Sequence, residues 1–433
     1  MFVRIDNTPR DYAWGSTTAI ARLLGRAPSG APEAELWLGA HPASPSRIEG
    51  GSPAPDLAAW IAADPQSALG AELAAEPAPH LPYLLKVLAA GGPLSLQAHP
   101  SPEQAAAGFA RENAAGVPLD AAHRNYKDPF HKPEMLFALS DTFHALCGFR
   151  SRAAVASDLT RLIGAARGAD APAARLAEFE ERLAAAPDDG TALRDAVTWL
   201  LSADDEGWGA AVDELVAETV RAARLVLAES GADDFESVDA LDPALLPFET
   251  VVSLHDGYPG DAGVVISLLL NRVRLVRGQA LYMPAGNIHA YLGGLGVELM
   301  ASSDNVLRGG LTPKHIDVDE LLGVLDFTPL PAPLLEPAQL APGVEVFRPD
   351  VPDFALVHAS VSEGADASGI RLSAPAIALA TEGTLELSGE TGGIALARGQ
   401  AAYITPDERE LAVRGAGELF LATTGTAFVD ALV

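Results

Sequence analysis

The chain has 433 residues, of which 48% are hydrophobic, and carries a formal net charge of −29 at neutral pH. This length and hydrophobic content suffice for two or three domains with substantial cores. The negative charge argues against nucleic acid or an anionic membrane as partner, since both bind basic surfaces, and no apolar run is long enough to span a bilayer.

The N-terminal sequence and the cysteine content both favour a cytoplasmic protein. The first residues, MFVRIDNTPRDYAWG, lack the apolar segment of a secretory signal peptide. Cys147 is the single cysteine, which excludes an intrachain disulfide and suits a reducing compartment. We therefore expect a cytoplasmic protein, and we expect it to act as a monomer.

The first 150 residues alternate short apolar runs with Gly and Pro, a pattern typical of many short strands. Helical patches are predicted around residues 56–74 and 102–113. The apolar stretch LPYLLKVL leads into a strand predicted from Ser95 to His99. From about residue 151 to 247 the sequence becomes Ala-rich and amphipathic at helical spacing, which predicts a helical insert.

Strand-like sequence returns at VVISLLLNRVRLVRGQALYMPAGNIHAYL. Its PAGNIH segment resembles the histidine-bearing turn of cupin barrels and delivers His289 to the next strand, with Tyr291 on the same face. The segment RGQALYMPAGNIH recurs in part as RGQAAYITPDERE at residues 398–410, without the histidine. The C-terminal region is therefore interpreted as a second, structural barrel that binds no metal.

The predicted fold is mainly β with a helical insert, built from two cupin-like jelly-roll barrels and an α-helical domain. The expected boundaries are a split catalytic domain at 1–150 and 248–324, the insert at 151–247, and the degenerate barrel at 325–433.

Four scattered side chains form a candidate zinc site: Gln97, His99, Glu134 and His289. Gln97 and His99 are two residues apart, so both point to the same face of a strand, together with Ser95. Two imidazoles, one carboxylate and one amide oxygen suit a borderline-soft divalent ion and leave room for water or substrate.

Lysines are rare and cluster near these candidate ligands. Of the 29 Lys and Arg residues, the lysines are Lys86, Lys127, Lys132 and Lys314. Lys132 shares a face with Glu134 in an extended segment, and Lys86 lies in LPYLLKVL. A compact ammonium is a good partner for phosphate, and Ser95 adds a hydroxyl donor.

The chain resembles the type I phosphomannose isomerases. The resemblance lies in YAWGS, AELWLGAHPASPS, LPYLLKVL, PLSLQAHPS, HKPEMLFAL followed by CGFR, YMPAGNIHAYL and GVELMASSDNVLRGGLTPKHID. These segments cover most of residues 10–150 and 250–317, in the order of the family. The middle and C-terminal stretches resemble the family only in their general sequence pattern and carry none of these distinctive segments.

The resemblance implies a zinc enzyme, with one zinc ion per chain, that interconverts mannose 6-phosphate and fructose 6-phosphate through an enediol. It implies a catalytic role for Arg308, with four further side chains lining the pocket: Tyr291, Glu298, Asp304 and Lys314. It places the substrate phosphate on Lys86, Ser95 and Lys132. His41, His131 and His144 lie in matching segments but are left out of the predicted site.

Two other classes of function remain open at this stage. A cupin-type metal oxygenase would use the same barrel with iron, but would not require lysines beside the ligand strands. A sugar-binding protein without catalytic activity would tolerate loss of Arg308.

Overall fold

A computed structural model of the chain describes residues 1–50, 54–202, 207–232, 237–364 and 366–426. Strands form two antiparallel sheets of ten strands each. Among the described residues, no helix has the length and apolar character needed to cross a membrane.

The first sheet contains the predicted ligand strands and consists of Glu35–Leu38, Tyr83–Ala90, Gln97–Ala98, Glu134–Ala138, Thr142–Phe149, Leu270–Val276, Ala280–Met283, His289–Ala301, Leu307–Arg308 and Leu334–Leu335. The second sheet consists of Phe2–Asp6, Arg47–Ile48, Ala338–Ala341, Val344–Phe347, Ala355–Val361, Asp366–Arg371, Ala376–Ser388, Gly393–Ala397, Ala401–Ile404 and Glu410–Thr423.

Helices fall into three groups along the chain. Those before residue 150 are Ala19–Leu23, Leu57–Ala63, Pro65–Leu69, Ala71–Ala74 and Pro102–Ala114. Those of the insert and its end are Arg152–Gly168, Ala174–Ala185, Asp189–Leu201, Gly209–Glu229, Leu246–Gly257 and Gly263–Ile266, and Val318–Val324 follows the first sheet. Short 3-10 helices lie at Val238–Ala240, Pro243–Leu245, Ser267–Leu269 and Pro406–Glu408.

The strand His289–Ala301 organises the first sheet because it pairs with four other strands. Its first residues pair with Gln97–Ala98 on one side and Thr142–Phe149 on the other. Its second half pairs with Tyr83–Ala90 and Glu134–Ala138. Segments far apart in sequence are thereby brought to one place.

The two sheets share a hydrophobic core. Phe137 of the first sheet meets Phe347 and Phe420 of the second edge to face, with ring centroids 5.4 and 4.9 Å apart. Each such aromatic pair contributes about 0.5–1.5 kcal/mol beyond the burial of its area. The buried Tyr83 hydroxyl lies 3.1 Å from the carbonyl oxygen of Ala422, which satisfies its polar atom inside this core.

Side-chain caps mark where two helices of the insert begin, Arg152–Gly168 and Asp189–Leu201. The Ser151 hydroxyl accepts a hydrogen bond from the backbone N–H of Ala154, and Asp188 accepts one from Thr191. Such caps contribute about 1 kcal/mol each. Val155, Leu159 and Leu162, spaced by three and four residues, bury one face of the first helix in the core of the insert. The helices predicted for this stretch are thus present, whereas the boundaries of the insert as a domain stay a prediction.

The predicted strand over VVISLLL is wrong. Gly263–Ile266 is helical and Ser267–Leu269 forms a 3-10 turn, so the strand begins only at Leu270. A continuous apolar run does not distinguish a buried strand from a buried helix. Asp261 accepts a hydrogen bond from the Gly263 N–H at 2.7 Å and so favours a helical turn at this point.

The fold therefore combines two antiparallel sheets with many helices, and the described strands do not close into a barrel. The predicted strand from Ser95 to His99 is shorter than expected and spans Gln97–Ala98. The first strand, Phe2–Asp6, pairs with Ala401–Ile404 and so belongs to the second sheet. The order of segments along the chain does not reveal that this first strand belongs to the second sheet.

Candidate metal centre

Strand alternation directs three ionisable side chains to one face of the first sheet. Residues 83, 85, 87 and 89 of one strand lie in the core shared with the second sheet, so Lys86 points to the opposite face. Glu298 pairs with Lys86 across the ladder, and Met300 pairs with Glu134. Glu134 and Glu298 therefore share that face with Lys86.

His99, Glu134 and His289 meet at this face, and their candidate ligand atoms all lie within 4.8 Å of one another. The Nε2 atoms of His99 and His289 are each 3.3 Å from a different carboxylate oxygen of Glu134. Two ligands at about 2.0–2.1 Å from one ion, separated by the tetrahedral angle, would be roughly 3.4 Å apart. The spacing therefore fits a shared divalent ion.

Backbone carbonyls orient both imidazoles. His99 Nδ1 lies 2.8 Å from the carbonyl oxygen of Asn305, and His289 Nδ1 lies 3.1 Å from that of Asn287. A metal-binding histidine commonly donates its second N–H in this way, which leaves the other nitrogen free for the ion. The Nε2 of His99 is buried and makes no hydrogen bond in the described structure.

The protonation states of His99 and Glu134 also favour binding of a metal cation. Burial lowers the pKa of His99 to about 4, and the nearby Lys132 charge adds to that effect, so its imidazole is neutral at pH 7. Burial alone would raise the pKa of Glu134, but the charge of Lys132 and the contacts with His99 and His289 outweigh it and hold the pKa well below its usual range. A neutral imidazole and an ionised carboxylate are the forms that bind metals.

A small cavity of about 50 Å³ lies beside the cluster, lined by Glu35, Lys86, Leu88, Leu94, Gln97, Lys132, Glu134, His289, Ala290, Tyr291 and Glu298. Gln97, the fourth predicted ligand, is half-buried in this wall and pairs through its backbone with His289 and Arg308. Its assignment as a ligand stays a prediction.

Lys86 is held in a buried network of charges. Its Nζ lies 2.9 Å from a carboxylate oxygen of Glu298 and 3.7 Å from one of Glu35. Burial alone would lower the Lys86 pKa, but these carboxylates raise it, so the ammonium stays charged. Burial raises the pKa of Glu298, although Lys86 opposes that shift. A carboxyl group with such a pKa is suited to exchange protons.

Glu35 is a site residue that the sequence interpretation missed. Its carboxylate accepts a hydrogen bond from Trp37 Nε1 at 2.8 Å and also faces Lys86. One signal was available in the sequence, since Glu35 lies in the mostly apolar segment ELWL. That segment forms a strand whose residues are all buried, and a carboxylate is rarely buried without a partner.

Tyr291 and Lys132 complete the wall of the cavity. Burial, together with the charges of Glu298 and Glu134, raises the pKa of Tyr291 well above its usual value, so the phenol is protonated and can donate a hydrogen bond. The Lys132 ammonium lies 2.9 Å from Glu134. Ser95 is half-buried next to Leu94, outside the residues that line the cavity.

The remaining predicted residues lie around this centre rather than in it. Arg308 is half-buried, and burial lowers its pKa. Burial and the charge of Arg308 lower the pKa of Lys314. Asp304 is 45% exposed and lies 3.5 Å from the buried His41, at the edge of a separate cavity of about 480 Å³.

Comparisons with known proteins agree along the whole chain. The family model described as phosphomannose isomerase type I, catalytic domain, matches residues 2–152. The mannose-6-phosphate isomerase of Escherichia coli K12 is 38% identical over 96% of this chain and 98% of its own length. The enzyme of Bos taurus is 33% identical over 92% of each.

A solved structure of zinc-bound mannose 6-phosphate isomerase has a similar fold. It superposes with a TM-score of 0.79 at 36% identity and covers 98% of this chain and 99% of the solved one. The similarity therefore includes both sheets and the helical insert.

Proposed function

The chain belongs to the type I phosphomannose isomerase family, and from that premise we propose that it interconverts mannose 6-phosphate and fructose 6-phosphate with one zinc ion per chain. The observation that carries the proposal is the buried cluster of His99, Glu134 and His289, with a histidine nitrogen that has no hydrogen-bond partner. The cluster fits the zinc-bound state of the solved relative.

The chain's own residues would hold the ion and surround the reacting carbons. His99, Glu134 and His289, together with Gln97, would be the ligands. A bound zinc ion would polarise the substrate oxygens as a Lewis acid. The buried position of the ligands excludes bulk water, so electrostatic interactions at the site are stronger than at an exposed surface.

The isomerisation needs a proton to move between two adjacent carbons, and we propose that it passes through an enediol. Glu298 has the raised pKa of a group that can take and return a proton, and Lys86 holds its carboxylate in place. Arg308 is proposed to stabilise charge that develops on oxygen. Tyr291, Asp304 and Lys314 are proposed to line the substrate pocket.

The proposed phosphate site consists of Ser95, Lys86 and Lys132. Both ammonium groups already contact carboxylates, Lys86 with Glu298 and Lys132 with Glu134. A lysine ammonium carries three donors, so each could still bind a phosphate oxygen while keeping its carboxylate partner. The substrate phosphate would then lie close to the metal ligands.

We also propose that the two sheets are cupin-like jelly rolls with the expected domains, at 1–150 with 248–324, 151–247 and 325–433, except that the strands Phe2–Asp6 and Arg47–Ile48 join the C-terminal jelly roll. The repeated sequence supports this, since Ala280–Met283 and Ala401–Ile404 are each followed by a turn and a long strand, His289–Ala301 and Glu410–Thr423. The monomeric state and the cytoplasmic location stay predictions.

An assay with two sugars tests the proposed activity. Purified protein is incubated with mannose 6-phosphate or with mannose, and formation of the ketose is followed by a coupled enzyme. The proposal predicts turnover of the phosphorylated sugar and little of mannose, because mannose lacks the group that the lysines bind. Equal rates on both sugars would contradict the phosphate site, and no turnover of either would contradict the activity.

A further inference from the structure

A second polar pocket lies on the other face of the first sheet. In the strand Thr142–Phe149, Phe143, Ala145 and Cys147 pack in the interior beside the metal centre, so His144 points outward. Its side chain lines a pocket of about 150 Å³ between the sheet and the helix Leu246–Gly257. That volume is well above the roughly 10–15 Å³ that a single water molecule requires.

His144 brings a buried acceptor nitrogen to the wall of this pocket. The residue is 6% exposed, and its Nε2 lies 2.8 Å from a carboxylate oxygen of Asp239. Burial lowers the pKa of His144, and Arg272 adds to the effect, so the imidazole is neutral. Since Nε2 carries the proton toward the carboxylate, Nδ1 is an unprotonated acceptor, and it makes no hydrogen bond in the described structure.

Arg272 presents a cation that only more distant carboxylates, Glu249 and Asp239, partly neutralise. Its Nε donates to the Thr250 hydroxyl at 2.7 Å and one terminal nitrogen donates to the Val273 carbonyl at 2.8 Å. Among the described residues, no carboxylate forms an ion pair with this guanidinium, and burial lowers its pKa to about 10. A buried cation of this kind gains stability when an anion reaches it.

Glu249 lines the same pocket and forms no ion pair with Arg272. Burial raises the pKa of Glu249, although the charge of Arg272 opposes that shift. Once ionised, the carboxylate only accepts hydrogen bonds, as does the Nδ1 of His144. The pocket therefore offers one cationic donor facing two acceptors. A fully deprotonated anion would suit Arg272 but would meet unfavourable contacts at both acceptors, whereas an anion that still carries one O–H group would satisfy Arg272 and one of the two acceptors.

We propose that this pocket binds a small protonated oxyanion, of which hydrogen phosphate is the simplest example. An anionic oxygen would accept from Arg272, and the O–H group would donate to His144 Nδ1 or to Glu249. The pocket is separate from the metal centre, so the proposal does not depend on the enzymatic activity.

Hydrogen phosphate and sulfate test the proposal because they match in charge and shape at pH 8 but only hydrogen phosphate carries a proton. Binding of each anion to the full chain is measured by isothermal titration calorimetry. Hydrogen phosphate should bind at least about tenfold more tightly than sulfate, because sulfate would leave buried acceptors without a donor. Equal affinity for the two anions, or no binding of hydrogen phosphate, would overturn the proposal.

Variants identify the site. Measured in a Lys132→Ala background, which removes part of the proposed substrate-phosphate site, Arg272→Gln should abolish binding of hydrogen phosphate, whereas Arg221→Gln, on the exposed face of the helical insert, should leave it unchanged. Lys132→Ala should also retain it, which separates this pocket from the proposed substrate site. Hydrogen-phosphate binding that survives Arg272→Gln, or that disappears with Lys132→Ala, would place the anion elsewhere.

A fourth variant keeps the test decisive if Arg272→Gln folds poorly. Glu249→Gln removes a charge that repels sulfate and replaces one acceptor oxygen with a donor amide. It should raise the affinity for sulfate and lower the preference for hydrogen phosphate severalfold. An unchanged ratio of the two affinities would show that Glu249 does not distinguish a protonated anion from an unprotonated one. The proposed recognition would then be wrong.

Discussion

Five charged side chains lie almost fully buried around the cavity of the metal centre: Glu35, Lys86, Lys132, Glu134 and Glu298. Burying a charge is costly unless it is paired, and here each ammonium contacts a carboxylate. The pairs offset part of the cost of burial. At the scale of single residues, this concentration of charge marks the cavity as the reactive part of the molecule.

His289→Ala should reduce both zinc content and catalytic rate, because it removes one of three converging ligands. Loss of a ligand lowers the affinity of the site, and elemental analysis of the purified protein measures the bound zinc. His123→Ala is the matched control, since His123 is exposed and lies outside the cluster. A variant at His289 with one zinc per chain and a normal rate would remove that residue from the site.

Arg308→Ala and Lys86→Ala should affect different kinetic constants. A group that acts where charge develops alters kcat, whereas a group that binds ground and transition states equally alters KM. Arg308→Ala should lower kcat by roughly two to three orders of magnitude. Lys86→Ala should mainly raise KM, with a smaller fall in kcat because the ammonium also holds Glu298.

Steady-state kinetics on mannose 6-phosphate, with zinc content checked in each variant, measures both effects. If Arg308→Ala raised only KM, Arg308 would be an anchor for the sugar or its phosphate. The catalytic assignment would then move to Glu298, Asp304 or Lys314.

Sequence patterns predicted that three candidate ligands belong to one site, and the structure brings them together, but the patterns did not reveal which carboxylates the lysines contact. His99, Glu134 and His289 stand in distinctive segments, so their convergence could be expected. The carboxylate partners of Lys86 come from separate strands, Glu35–Leu38 and His289–Ala301. Strand pairing depends on the tertiary fold, which local sequence does not specify. Glu35 was missed for that reason.

At the scale of elements, the two related turns have different chemistry. The first ends in His289, whereas the second ends in a 3-10 turn at Pro406–Glu408. There the buried Glu408 carboxylate lies 2.7 Å from the N-terminal ammonium of Met1, and it accepts a hydrogen bond from the Thr391 N–H at 2.9 Å. These contacts give the second turn a structural role.

Asp407→Asn together with Glu408→Gln should therefore leave zinc stoichiometry and kcat unchanged. The pair should lower the free energy of unfolding by about 1–3 kcal/mol, because Glu408 loses charged hydrogen bonds in a buried position. Elemental analysis, kinetics and urea denaturation measure the three quantities. A halved zinc content would show that the second turn also binds metal.

Regular amphipathic elements were easier to predict than buried ones. The helical insert and the helix Pro102–Ala114 follow clear spacing and caps, including the capping box of Ser101 and Gln104. The segment VVISLLL lacks polar residues at informative positions, so its helical turns could not be distinguished from a strand. Pairing of the first strand with the second sheet depends on contacts some four hundred residues away.

At the scale of the whole molecule, a polar network links the two sheets at the edge of their shared core. Arg277, in the turn before Ala280–Met283, lies 3.0 Å from Glu418 of the second sheet. Glu418 also contacts His358 at 3.0 Å. Burial alone would raise the Glu418 pKa, but His358, Thr381 and Arg277 outweigh it and lower the pKa.

Glu418→Gln should therefore destabilise the protein in a pH-dependent way. A lowered pKa in the folded state contributes stability above the unfolded value of about 4.3, and this contribution is lost as pH falls through the folded pKa. Urea denaturation should show a loss of about 1–3 kcal/mol at pH 7 that shrinks below about pH 4. Glu386→Gln, exposed on the same sheet, is the control. A loss that does not depend on pH would exclude the ionised carboxylate as its cause.

Titration of metal-free protein with zinc tests the central claim most directly. Zinc is removed with a chelator, the chelator is removed, and isomerisation of mannose 6-phosphate is measured as zinc is added back. We predict no activity in the metal-free protein and a linear rise that reaches its plateau at one zinc ion per chain, with no recovery in His289→Ala. Full activity without metal, or a plateau at two zinc ions per chain, would contradict the claim that His99, Glu134 and His289 form a single catalytic zinc site.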